Sequence, residues 1–443
     1  MITKIKAFIF INDELFVFPL IKKIKTKKEY TRIFSNFVSL SVLQAANYIL
    51  PLITLPYLVR VLGPEKFGLI SFAQAFNGYF QILTDYGFNL SATREISINR
   101  ENKEKVSEIF SSVRFIKFGL LLVSFFLITV IVFSFNKFRE DWLIYYLTFG
   151  MVLGQTLFPV WFFQGIERMK YITFLNILAK LIFTIAIFVF VKQESNYLYV
   201  PLLNSIGFII AGILSLWIIF EDFKVGFKIP NFKEIRYYLK EGWHIFISTV
   251  LISSYTTSNT FILGIFTDNL TVGYFAAADK IIQVFKSFIV PISNSIYPYI
   301  NHKIEKNFKE GISFLKKIAY LVGLITFILS SIQFIFAKEL VNFVLGTVYE
   351  KSIIFLRIMS FLPFIIGMSN IFAIQGLLSF KKNKEFMNIL GLGGFLNILL
   401  SFIFVPIYNA YASSTIVVFV EVFITLTTYY YLKKTIREEY ASL

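Results

Sequence analysis

Twelve long apolar runs recur along this chain, and they dictate the solvent in which it can fold. They lie near residues 34–59, 67–91, 110–135, 142–163, 171–191, 197–220, 239–266, 272–299, 313–336, 352–379, 385–407 and 411–432. Each reaches the roughly 20 apolar residues that a helix needs to cross about 30 Å of hydrocarbon. Lipid offers the backbone no hydrogen-bond partners, so runs of this length have to be helices. Composition agrees: 56% of the 443 residues are hydrophobic and 16% charged, against about 25% charged in soluble domains. The expected fold is an all-α integral membrane protein with about twelve transmembrane helices.

The charges fall between the runs, and unevenly. If the N-terminus is cytoplasmic, most of the 43 Lys and Arg lie in segments 1–32, 92–118, 165–170, 221–240, 301–317, 381–384 and 433–443. The opposite segments hold only Arg60, Lys66, Lys137, Arg139, Lys192, Lys338 and Lys351. This bias predicts a multi-pass membrane protein with both termini in the cytoplasm. It also explains most of the formal charge of +16, so no nucleic-acid partner is expected. The start, AFIFINDELFVFPLI, is too short for a span and is broken by Asn12, Asp13 and Glu14. Residues 1–32 therefore read as a basic cytoplasmic leader.

Several chemistries find no residues here. Cysteine is absent, and His244 and His302 stand far apart, so neither thiol chemistry nor a transition-metal site is expected, and no cofactor. No GxxxxGK[ST] phosphate loop occurs. The longest segment on the charge-poor side, KELVNFVLGTVYEKS (338–352), has no concentrated acidic motif. An enzyme acting on a substrate outside the membrane usually carries a sizeable loop or domain there.

The two halves echo each other. WFFQGIERMKYITFLNILAKL, from Trp161, resembles FAIQGLLSFKKNKEFMNILGL, from Phe372, and KFGLISFAQAF around Gly68 resembles TVGYFAAADKI around Gly273. The unit is six spans, an even number, so the copies run parallel and are related by an axis along the membrane normal. The expected organisation is two six-helix lobes around a central cavity, 33–220 and 239–432. A cytoplasmic linker (221–238) joins them, and a tail (433–443) follows.

Polar stripes mark the cavity candidates. Ser71, Gln74, Gly78, Gln81, Asp85 and Asn89 follow one another in steps of three and four on the second span, one face of a helix. Such a face belongs against protein or water, not lipid. Gln44, Asn47, Pro51 and Thr54 form a similar row on the first span. The eighth span carries Asp279, Lys280, Gln283 and Lys286, the fifth Lys180, the tenth Arg357 and the last Glu421. Four intramembrane cations against three carboxylates lean toward an anionic substrate. Lys286, Lys280, Lys180 and Arg357 are the candidate cations for such an anion, and Gln44, Asn47, Gln74, Gln81 and Gln283 are candidates for cavity contacts. Asp85 and Asp279 are the candidate carboxylates.

The stretches NFVSLSVLQAANYILPLITLPYLVRVLG (36–63), FGLISFAQAF (67–76), TDYGFNLSATREIS (84–97) and WFFQGIERMKYIT (161–173) resemble the Wzx-type O-antigen flippases. These are bacterial polysaccharide-biosynthesis proteins of the multidrug/oligosaccharidyl-lipid/polysaccharide exporter (MOP) superfamily. The resemblance covers about residues 31–435. It implies a twelve-span transporter of the bacterial plasma (inner) membrane, not an enzyme, that moves a polyprenyl-diphosphate-linked oligosaccharide to the outer leaflet of the bilayer. On that reading Lys286, Lys280, Lys180 and Arg357 would meet the phosphates, Gln44, Asn47, Gln74, Gln81 and Gln283 the sugars or the cavity, and Asp85 and Asp279 a coupling ion, H+ or Na+. Its first, second, seventh and eighth helices would line the cavity. A monomer would suffice, and a polysaccharide polymerase and chain-length regulator would be downstream partners. The rival within the fold is an ion-coupled exporter of drugs or of another lipid-linked substrate; the rival from another class is a membrane polysaccharide polymerase or glycosyltransferase, which should show a concentrated acidic motif on the charge-poor side.

Overall fold

In the computed structural model, which describes residues 27–442, the chain is helical from end to end, with no strand among those residues. Residues 1–26 of the expected leader lie outside the described residues, and 27–32 already belong to the first helix.

The helical stretch Lys27–Asp85 is interrupted at Gly63, which takes φ 65° and ψ 173°. A residue without Cβ reaches this conformation at little cost. Pro64 follows at the start of the next helix, where a missing N–H is harmless. The halves are α1 (27–62) and α2 (64–85). Tyr86 (φ 49°) and Gly87 (φ 78°) end α2. The chain continues through α3 (Phe88–Asn99), α4 (Lys103–Ser134), α5 (Trp142–Leu157), α6 (Met169–Phe190) and α7 (Tyr199–Glu221). The second half comprises α8 (Phe232–Thr256), α9 (Ser258–Phe266), α10 (Asn269–Ser287), α11 (Ile289–Lys306), α12 (Phe308–Ile335), α13 (Ser352–Met359) and α14 (Leu362–Asn370). A final stretch, Asn383–Ser442, is broken at Asn409 (φ 51°) into α15 (383–408) and α16 (410–442).

Among the described residues, eight helical stretches are long and apolar enough to cross a membrane. The difference from the expected twelve has two physical sources. Two of the eight, Val38–Asn99 and Asn383–Ala441, are runs that contain the breaks at Gly63 and Asn409. The runs at 239–266 and 272–299 fall short because SSYTTSNT, Asp279, Lys280 and Lys286 make them polar, and each is split, into α8–α9 and α10–α11.

Two boundaries move in ways that matter. Asn89 lies past the break at Tyr86–Gly87, so it does not continue the α2 stripe. Helix α4 begins at Lys103, so Arg114 and Lys117, assigned above to a cytoplasmic segment, are carried into the bundle. Helix α8 also starts inside the expected linker. Asn231 accepts from the Glu234 amide at 2.9 Å, and Glu234 accepts from the Asn231 amide at 3.0 Å, a reciprocal cap. The strap before it is pinned to α4: the amides of Gly226 and Lys228 donate to Ser107 Oγ (3.1 Å) and Ser111 Oγ (2.9 Å).

Helix α2 packs along α8 and α9 as a continuous seam. Phe72 and Phe76 stack on Phe261 with centroids 5.8 and 5.7 Å apart. Tyr79 donates to Ser258 Oγ at 2.9 Å, and Tyr86 stacks on Phe246 at 4.8 Å. Further ties gather at the charge-poor end. Tyr349 donates to the Val59 carbonyl at 3.1 Å, and Arg60 donates to the Phe343 carbonyl. Lys137 donates to the carbonyls of Ile265 (3.2 Å) and Thr267 (2.5 Å), closing the end of α9. Beside it Asp268 caps α10, accepting from the Thr271 amide at 2.7 Å. Burial raises the Asp268 carboxyl, but the Thr271 bonds, Lys137 and Lys351 outweigh this and its pKa is lowered.

Candidate functional site: two connected cavities

The seam between α2 and α8–α9 leaves a space on the other side of α2, where α1 and α10 face each other. A central cavity of about 430 Å³ opens there. Helix α1 contributes Asn47 and Thr54, α2 Ser71 and Gln74, and α10 Lys280 and Gln283. The rest of the wall is mostly apolar, from Leu55, Leu58, Leu62, Phe67, Ile70 and Phe183. A half-buried ammonium and a few amides in an apolar wall can hold a charged, hydroxyl-rich headgroup without holding it tightly.

Asn47 also lines a second space of about 290 Å³, enclosed by the 33–220 half alone. Gln81, Thr84, Asp85, Asn89, Lys117, Gln155, Asn176 and Lys180 supply a polar lining. Lys180 Nζ donates to Asn47 Oδ1 at 2.6 Å, so that bond stands at the junction of the two spaces. Lys117 Nζ lies 3.4 Å from Asp85 Oδ1, and its side chain is 5% exposed. This pair explains a carboxylate at the end of an apolar helix: an ammonium enters from α4 to meet it. Arg114, one turn before Lys117, donates to the Thr156 carbonyl.

The remaining candidates scatter. Asp279 accepts from Gln283 Nε2 at 2.5 Å. Lys286 comes within electrostatic reach of Glu421 of α16 and forms no ion pair with Asp279 among the described residues. Lys286 lines neither cavity. Arg357 and Gln44 are exposed and line neither cavity. Asn47, Gln74, Gln283 and Lys280 come together in the central cavity, and Asn47, Gln81, Asp85 and Lys180 in the second. Sequence reasoning missed Lys117 and Arg114. The available signal was their spacing of three, which puts both on one helix face.

A family described as polysaccharide biosynthesis protein matches residues 33–303. Two curated relatives carry the name "Putative O-antigen transporter". That of Escherichia coli (strain K12) is 36% identical over 367 residues, 83% of this chain and 88% of that one. That of Shigella dysenteriae is 29% identical over 393 residues, 88% and 98% of the two chains. Among solved structures, the chain is similar to an inward-facing multidrug resistance MATE family transporter of the MOP superfamily. The TM-score is 0.71 at 12% identity, covering 91% and 98% of the two chains. It is also similar to the lipid II flippase MurJ in an inward closed conformation, with a TM-score of 0.63 at 14% identity, covering 90% and 87%. The structural likeness establishes the fold: an all-helical, multi-pass membrane architecture shared with these two proteins.

Proposed function

The chain belongs to the polysaccharide biosynthesis protein family, and from that premise we propose that it flips a polyprenyl-diphosphate-linked oligosaccharide repeat unit across the plasma membrane. Movement runs from the cytoplasmic to the outer leaflet, for O-antigen, capsule or another surface polysaccharide. The observation that carries the reading is the 36% identity, over 83% of the chain, to a relative named as an O-antigen transporter.

The physics of the task matches the cavities. A diphosphate and its sugars cannot enter hydrocarbon unaided, whereas a prenyl tail can stay in lipid throughout. Lys280 offers a cation to the phosphates, and Gln74, Gln283 and Asn47 offer amides to the sugars. A cationic drug would prefer carboxylates in the lining, and the central cavity has none among its lining residues. A space of about 430 Å³ sits near the lower limit of ligand pockets. A headgroup of several sugars therefore requires the lobes to part. Alternating access follows: the charge-poor end, taken as the outer side, opens while the basic end closes. Lys286 and Arg357 would meet the substrate only in other states of the cycle. Asp279, next to Lys280, would take the coupling ion, H+ or Na+. Withdrawal of product by a polymerase would add to the drive.

The test is reconstitution of the purified chain in vesicles with its lipid-linked repeat unit, followed by leaflet-resolved access of a sugar-binding reagent. Protein-dependent transfer is expected. Absence of transfer by folded protein supplied with its own repeat unit would overturn the reading.

A further inference from the structure

The second cavity, inside the 33–220 half, has a charge balance that its structural role does not explain. Two ammonium groups, Lys117 and Lys180, line it against one carboxylate, Asp85. Arg114 stands behind the wall, held by the carbonyl of Thr156, itself a lining residue. Burying an excess of positive charge in a low-dielectric lobe is costly, and a bound anion removes the cost.

The bonding of both lysines points the same way. Charge-assisted N–H···O contacts settle at about 2.7–2.9 Å, yet Lys117 Nζ is 3.4 Å from Asp85 Oδ1. Its side chain is almost fully buried, so the donor capacity that Asp85 leaves unused faces the chamber rather than bulk solvent. Lys180 meets a neutral amide oxygen, that of Asn47, at 2.6 Å, and no carboxylate pairs with it in the structure of the described residues. Around them Gln81, Asn89, Gln155 and Asn176 supply side-chain amides, which donate to phosphate oxygens without adding charge. The volume of about 290 Å³ equals roughly ten waters at about 30 Å³ each, enough for a diphosphate group but not for an oligosaccharide.

We propose that this chamber is an anion site for a phosphate or diphosphate group, in which Asp85 holds Lys117 until the anion displaces it. Asp85 is then a built-in competitor, and the Lys180–Asn47 bond links the site to the central cavity. The identity of the anion as the headgroup of the lipid-linked substrate rests on the function proposed above; the anion site itself does not.

The experiment is calorimetric titration of the full chain, in an uncharged detergent, with inorganic diphosphate and, in a second arm, with a short-chain prenyl diphosphate. Intact protein is expected to bind diphosphate. Asp85→Asn frees Lys117 and should tighten binding about tenfold, an outcome that misfolding does not imitate. Lys180→Gln, which can still donate to Asn47, should weaken it about tenfold. The Asp85→Asn/Lys117→Gln double variant, which buries no charge from the pair, should fold and bind more weakly than Asp85→Asn. Tighter binding of the prenyl diphosphate marks the lipid headgroup as ligand, and equal or weaker binding marks a free anion; either supports the site. No binding by folded intact protein, or an affinity unmoved by both Asp85→Asn and Lys180→Gln, overturns it. Flipping that persists without diphosphate binding removes this site and spares the function. Binding without flipping does the reverse.

Discussion

Gly68 of α2 and Gly273 of α10 meet where the two halves of the chain cross at the charge-poor end. A Cβ on Gly68 would overlap the Asn269 carbonyl oxygen, and one on Gly273 would overlap the Pro64 carbonyl oxygen. The contacts are reciprocal, because the offset that pairs Gly68 with Gly273 also pairs Pro64 with Asn269. Residue i meeting j′ while i′ meets j is the signature of a two-fold relation. Small residues let helix backbones approach this closely in a membrane.

Gly68→Ala and Gly273→Ala should therefore each loosen the charge-poor end. Overpacking costs about 1–3 kcal/mol, which moves a two-state balance about five- to 150-fold. The chain has no cysteine, so Ser71→Cys in the central cavity is a clean reporter. Its labelling by an impermeant thiol reagent from the charge-poor side should rise at least about fivefold with either alanine. The two alanines together should gain little over one, since both strike the same contact.

The Lys117–Asp85 pair should show strong coupling in stability. Removing one partner leaves the other charge in the bundle, so Lys117→Met or Asp85→Asn should cost about 2–4 kcal/mol. The double variant should recover most of that loss, because the cost lies in the unpaired charge rather than in the bond. Chemical denaturation of the four proteins measures the cycle, and additive losses would contradict it.

Lys280→Gln should separate transport from folding. The side chain lines the central cavity and forms no ion pair among the described residues. Stability should change by less than about 1 kcal/mol. Losing a hydrogen bond to a charged phosphate costs about 1.5–3 kcal/mol, so transfer of the lipid-linked glycan should slow about ten- to 150-fold. Thermal unfolding and the vesicle assay, run on the same preparation, check both halves.

Gln333 of α12 is fully buried, and both its amide atoms lack a hydrogen-bond partner among the described residues. An orphaned buried polar group costs about 1–3 kcal/mol. Gln333→Met, of similar size, should therefore stabilise the protein by about 1–2 kcal/mol. Destabilisation on thermal unfolding would mean that the amide has a partner in some other state of the protein.

The apolar runs made the helices and the membrane legible in the sequence, because lipid leaves the backbone so little choice. The Gly68 and Gly273 segments were also legible as matching blocks, though not as a contact. Lys117 was hidden for a physical reason. A basic stretch beside an apolar run reads as cytoplasmic by its charge, yet α4 starts at Lys103 and carries that charge inward to a carboxylate 32 residues away. The turn at Tyr86–Gly87 was hidden too, since spacing by threes and fours assumes an unbroken helix. The approach of Lys286 to Glu421 was hidden for a similar reason: the carboxylate comes from a distant helix, which periodicity along one helix does not show.

The most direct test of the account is transfer of a labelled lipid-linked glycan by a chain whose charge-poor end is tied shut. Lys137 and Thr267 already touch across that end. A Lys137→Cys/Thr267→Cys variant, bridged by a short reducible bis-methanethiosulfonate linker, holds it closed. The account predicts that bridged protein in vesicles fails to transfer the glycan and that reductant restores transfer to the level of the unbridged variant. Undiminished transfer by fully bridged protein would contradict it.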